Sequence, residues 1–107
     1  VGTTADRNDP ALKEVDPETG LQKKYLVLSQ DERNRGFKRP FYDTYKHIVC
    51  GAKTQMGRAL SETYAVRPDF YQATYCVECK EHKPVGHEGE FLWVDKNGRV
   101  TDHKVGT

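Results

Sequence analysis

Between Tyr25 and Trp93 the apolar positions fall into short groups of different spacing, and each spacing predicts an element. Lys24 to Leu28 is a run of strand-favouring residues and predicts a short strand. Ser29-Gln30-Asp31-Glu32 has the spacing of a capping box and predicts a short helix that Gly36 ends. Beyond Pro40, Phe41 to Val49 is dense in aromatic and β-branched residues and predicts a second strand. Met56, Ala59, Leu60, Thr63 and Tyr64 recur at i, i+3, i+4, i+7 and i+8, the stripe of a helix over 54–67 with Thr54 as N-cap. Pro68 disfavours helical backbone at Arg67 and closes it. This phase leaves Arg58 and Glu62 on the exposed side. Ala73 to Tyr75 predicts a strand running into Cys76. Glu90 to Asp95 alternates, with Phe91 and Trp93 on one side, and Asn97-Gly98 predicts a type I′ turn before a return strand at Arg99 to His103. Upstream, residues 1–14 lack apolar periodicity and Asp16-Pro17-Glu18-Thr19-Gly20 is turn chemistry. A mobile tail over 1–20 and one α+β domain over 21–107 follow from this pattern.

The predicted strand ends carry the chemistry. His47-x-x-Cys50-Gly51 closes one strand and Cys76-x-x-Cys79 closes another. A two-residue gap lets the backbone turn so that both side chains reach a single ion, and Gly51 directly after a ligand suits such a turn. One imidazole and three thiolates make a tetrahedral zinc set, with Zn–S near about 2.3 Å and Zn–N near about 2.0 Å. His82 extends Cys76-x-x-Cys79 by the same spacing and competes with His47 for the fourth place. Two like pairs closing one shell favour His47. His87 and His103 are read as solvent-exposed. Four protein ligands leave no position for an activated water, so the expected zinc holds the fold and performs no reaction. The architecture expected is a zinc-ribbon-like pair of knuckles with one inserted helix and a C-terminal β-hairpin.

Enzymatic alternatives find less support. A thioredoxin-like redox pair would sit in a βαβ pattern, which is missing. A zinc deaminase needs His-x-Glu ahead of Pro-Cys-x-x-Cys, yet Tyr75 precedes Cys76 and no His-x-Glu lies upstream. Asp102-His103 has the look of an HNH-nuclease pair, but reads better as two polar residues at a strand end. No phosphate-binding glycine loop, nucleophile elbow or His-Glu-x-x-His helix occurs. The rival reading is a zinc hydrolase or nuclease in which His47 leaves the metal and Cys50, Cys76 and Cys79 surround an open position.

Composition sharpens this picture. In 107 residues, 31% are charged and the mean hydropathy is −0.85, so the core is small and gains from a metal staple. Three cysteines are an odd count for a disulfide framework, and no segment resembles a signal peptide or membrane span. A reducing, cytoplasmic location is expected. Net charge is only +1, but residues 20–46 carry seven Lys/Arg against three acids. There Arg33, Arg35, Lys38 and Arg39 alternate with Phe37, Phe41, Tyr42 and Tyr45, a candidate contact surface. Arginine beside exposed aromatics suits nucleic acid and protein hot spots alike. The near-neutral whole favours a protein partner, with nucleic acid second and no membrane or small-molecule substrate. Against this stands the plainer reading, that the aromatics are core and the cations merely solvated.

Several stretches resemble a family of small phage and prophage proteins without assigned function. They are Arg35-Gly36-Phe37 with Arg39-Pro40, His47 with Cys50-Gly51, Met56 through Ala65, Asp69-Phe70-Tyr71, Cys76 with Cys79, and Glu90-Phe91-Leu92-Trp93. The resemblance covers about two thirds of the chain and leaves out residues 1–22. It implies a mobile-element origin and a host-cytoplasm location, and it supplies no activity.

Overall fold

The aromatic residues that a short chain must bury set the architecture. In the computed structural model, which describes residues 2–107, Tyr45, Phe91 and Trp93 lie on one face of a four-stranded sheet. Its strands are β3 (Thr44–His47), β4 (Lys53–Gln55), β7 (Phe91–Val94) and β8 (Val100–Lys104), in the order β4-β3-β7-β8. All neighbours are antiparallel, and the β3–β7 register sets Tyr45 opposite Trp93 and His47 opposite Phe91. Alternation along these strands therefore buries Tyr45, His47, Phe91 and Trp93 together. The rings of Tyr45 and Phe91 meet edge to face with centroids 5.2 Å apart, and Tyr64 meets Trp93 in the same way at 5.4 Å.

Tyr64 belongs to α2 (Arg58–Val66), which crosses between β4 and a second antiparallel hairpin, β5 (Ala73–Cys76) with β6 (Glu81–Pro84). The helix is shorter than its periodicity predicts. Lys53–Gln55 pair with β3, which draws Thr54 into a strand and passes the N-cap to Gly57. The hydroxyl of Thr54 instead accepts the backbone N–H of Val77. Met56, Thr63 and Tyr64 are buried as the stripe requires, and Arg58 is exposed. Glu62, expected in solvent, is buried. It accepts hydrogen bonds from Arg33 (2.8 Å) and Arg58 (3.2 Å), and this pairing offsets its desolvation.

Arg33 closes the short α1 (Gln30–Arg33), which starts with the expected Ser29 cap. The loop between β7 and β8 departs from a type I′ turn. Asn97 keeps a negative φ, and among the described residues of the loop only Gly98 (φ 81°) is left-handed. The Asp95 carboxylate accepts the backbone N–H groups of Asn97 and Arg99, which makes a three-residue loop ending in a glycine bulge.

The first twenty residues, expected as a mobile tail, carry structure of their own. β1 (Gly2–Thr4) pairs in parallel with β2 (Lys24–Leu26), and Pro10–Lys13 form a 3-10 turn capped by Asp9. Tyr75 donates its hydroxyl to the Thr19 carbonyl, which ties this segment to β5. The whole is a mixed α+β unit with a radius of gyration of 13.2 Å, close to the roughly 13 Å of a compact chain this long. No described helix is long and apolar enough to cross a membrane.

Candidate metal centre

Each of the two hairpins delivers one ligand pair from its turn. His47 is the last residue of β3 and Cys50 lies in the turn to β4; Cys76 is the last residue of β5 and Cys79 lies in the turn to β6. The two turns share one construction. Gly51 donates its N–H to the His47 carbonyl at 2.7 Å, and Lys80 donates to the Cys76 carbonyl at 2.8 Å. In both, the residue after the second ligand takes a left-handed backbone, Gly51 at φ 79° and Lys80 at φ 55°. Glycine makes the first turn visible in sequence. Lysine at the matching position of the second hides it.

β4 lies beside β5, and this brings the turns together. One ligand atom from each of His47, Cys50, Cys76 and Cys79 falls within a cluster no wider than 4.8 Å. The Nδ1 of His47 is 3.1 Å from the Cys50 sulfur and 3.6 Å from that of Cys79, and the Cys50 and Cys76 sulfurs are 3.5 Å apart. A tetrahedral zinc shell separates its ligand atoms by about 3.5–3.8 Å, and these three separations lie within a few tenths of an ångström of that range.

His47 is the histidine of this cluster, and His82 is engaged elsewhere. The Nε2 of His82 lies 3.0 Å from the Tyr25 hydroxyl, and its ring sits between Tyr25 and Tyr75. His47 is 1% exposed and stacks on Phe91. Its far nitrogen, Nε2, lies 2.7 Å from a carboxylate oxygen of Glu90. An Nε2–H donating to the Glu90 carboxylate turns the Nδ1 lone pair towards the sulfurs, the usual arrangement behind a metal-bound histidine. No spacing rule marks Glu90 in the sequence, because its role depends on the β3–β7 register.

The thiols also report on the site. Burial works against ionising Cys76, yet the backbone N–H groups of Cys79 and Glu78 and the neighbouring thiols bring it below its ordinary value. Partial burial and the sulfurs of Cys76 and Cys50 push Cys79 up to about 11. The setting thus favours a thiolate at Cys76 and opposes a second at Cys79, an opposition that a cation held between the two sulfurs would remove. All three cysteines are free thiols.

The basic candidates do not form one surface. Arg33 is packed inward, donating to the Leu28 carbonyl and pairing with Glu62. Tyr45 is core, and Tyr42 stacks on Trp93. Arg35, Lys38 and Arg39 are exposed, together with Phe37 and Phe41, whose rings stack on each other at 5.7 Å. The loop beneath them is anchored, with the backbone N–H groups of Lys38 and Arg39 both donating to the Ala65 carbonyl. Of the histidines expected in solvent, His87 is exposed and His103 is half-buried against Tyr42.

Compared with family models, with curated proteins and with solved structures, the chain matches none of them.

Proposed function

We propose that this protein is a non-catalytic binding module whose fold is closed by one structural zinc ion on His47, Cys50, Cys76 and Cys79, in a zinc-ribbon-like arrangement. The observation that carries the metal reading is the convergence of two like turns on one point, with the Glu90 carboxylate against the far nitrogen of His47. Four protein ligands fill a tetrahedral shell, which disfavours the rival hydrolase with an open position. Elemental analysis should give one zinc per chain in the wild type and none in Cys76→Ser. A well-folded, metal-free wild type would overturn the reading.

The binding surface we assign is the Phe37–Phe41 pair with Arg35, Lys38 and Arg39 around it. Phe37 is 47% and Phe41 41% exposed, on an anchored loop, where two neighbouring phenyl rings in water are costly unless a partner covers them. Three exposed cations around an apolar centre resemble a protein hot spot with a charged rim and fit an acidic, apolar partner segment. Phe37→Ser with Phe41→Ser should abolish capture of that partner at unchanged zinc content, while raising salt should weaken capture only modestly. Binding to nucleic acid with a log–log salt slope of about −0.7 to −0.9 per phosphate neutralised would replace the protein partner in this reading. We read such a module as one that would act in a host cytoplasm, in line with the resemblance to phage and prophage proteins.

A further inference from the structure

Five tyrosines converge on one cavity. Tyr25, Tyr45, Tyr64, Tyr71 and Tyr75 line a space of about 140 Å³ between β2, β4, α2 and β5, completed chiefly by Met56 and Leu60. No charged side chain borders it. Exposed Gln55, Gly57 and Ala73 mark its mouth.

The hydroxyls of four of these tyrosines are spoken for. Tyr71 donates to the Leu26 carbonyl, Tyr75 to the Thr19 carbonyl and Tyr45 to the Tyr75 carbonyl, while Tyr25 meets His82. Pinned at their polar ends, these side chains are rigid walls that give the cavity ring carbon in place of hydroxyl. The lining is accordingly more apolar than its composition suggests. Burial also pushes the Tyr45 phenol up to about 12, as expected of a poorly solvated wall. The Thr74 hydroxyl, donating to Tyr45 at 3.2 Å, is the polar group at one side.

We propose that this cavity is a ligand site for a neutral single-ring aromatic group. Size, polarity and rigidity each select that class. An enclosed apolar cavity of about 150 Å³ holds one benzene ring, and this open-mouthed one offers about 140 Å³. Pre-formed walls remove the ordering cost that a floppy pocket would impose on so small a ligand. With no charged side chain on the wall, neither a cation nor an anion finds an ion-pair partner there, and a cation has only the faces of the tyrosine rings to offset its desolvation. The site is separate from the phenylalanine surface and does not depend on it.

The test uses zinc-loaded, full-length protein and methyl-detected NMR with toluene, phenol, benzoate and tetramethylammonium as probes. Toluene and phenol should give saturable shifts at Met56 and Leu60, and the two charged probes none. Leu60→Phe, which places a ring in the cavity, should reduce toluene binding at least tenfold without lowering the melting temperature. Ala73→Val, at the mouth, serves as a second blocking variant should Leu60→Phe fold poorly. Absence of saturable shifts with toluene and phenol would overturn the proposal. Preferential binding of tetramethylammonium would overturn it too, by making the site a cation cage, and so would blocking variants that bind toluene like the wild type.

Discussion

Lys80 stands where the first turn has a glycine, and that single difference makes a measurable prediction. A left-handed backbone costs an L-residue on the order of 1 kcal/mol, so Lys80→Gly should raise thermal stability by about that amount, and Lys80→Val should lower it. Opposite this turn, Gly20 adopts φ +78°, and a Cβ there would lie 2.2 Å from the Lys80 carbonyl oxygen. Gly20→Ala should therefore destabilise the second turn from a position sixty residues away in sequence. Behind His47, loss of the carboxylate in Glu90→Ala should weaken zinc affinity about 10–100-fold in a chelator competition. Glu90→Gln, which keeps an acceptor for the Nε2 proton, should restore part of it. His47→Ala should abolish metal retention and His82→Ala should leave it intact, an order that isotope-dilution or colorimetric zinc assays read directly. His47, Cys50, Cys76 and Cys79 were legible in the sequence as one candidate cluster, because the spacing within each pair is local. Glu90 and Lys80 were not, since one acts through a strand register and the other through a backbone angle.

At the scale of elements, the errors of sequence reading have a common origin in partners that arrive from elsewhere in the chain. Thr54 has the chemistry of a helix cap, but β3 recruits it into a strand. Glu62 occupies the polar phase of the α2 stripe and is buried because Arg33, twenty-nine residues earlier, reaches it. Arg33→Ala should consequently cost on the order of 3 kcal/mol, moderated by the remaining Arg58 contact. Arg35→Ala, two residues on and exposed, should stay within about 0.5 kcal/mol in a denaturant titration. Leu60 is only half-buried beside the cavity, so Leu60→Ala should fall below the roughly 2–5 kcal/mol of a packed core leucine. In the β7–β8 loop, Gly98→Ala should cost about 1 kcal/mol, because only the glycine position is left-handed there. The Asn97-Gly98 dipeptide signalled a hairpin correctly. It did not reveal that the Asp95 carboxylate would lengthen the turn by one residue.

For the molecule as a whole, a zinc ion bound at this cluster would be the largest single term. Structural zinc sites contribute apparent folding free energies of about 10–16 kcal/mol, which rivals the roughly 5–15 kcal/mol net stability of a typical domain. Chelated protein should be unfolded at 25 °C, seen as a red shift of Trp93 fluorescence and loss of the far-ultraviolet dichroism of β-structure. Acid should act like chelation, because protonated thiols and imidazolium cannot ligate. A chelated chain that keeps a native spectrum would show that the aromatic core suffices alone. The α+β class and the paired ligand turns were readable from pattern. The parallel pairing of β1 with β2 was not, since a three-residue strand held through its backbone leaves no periodic trace.

The tether between Tyr75 and Thr19, with Gly20 seated on the Lys80 carbonyl, has an outward consequence. Thr19 and Gly20 rest on the hairpin that carries Cys76 and Cys79, so loss of an ion bound at that turn should loosen the chain ahead of residue 20. Protease cleavage near Lys13 and Lys23 should accelerate sharply on chelation and slow again when zinc is returned. A fluorophore placed near the amino terminus should report metal occupancy in living cells as a change in mobility. The amino-terminal segment would thereby serve as a visible flag for an ion bound on the far side of its own anchor.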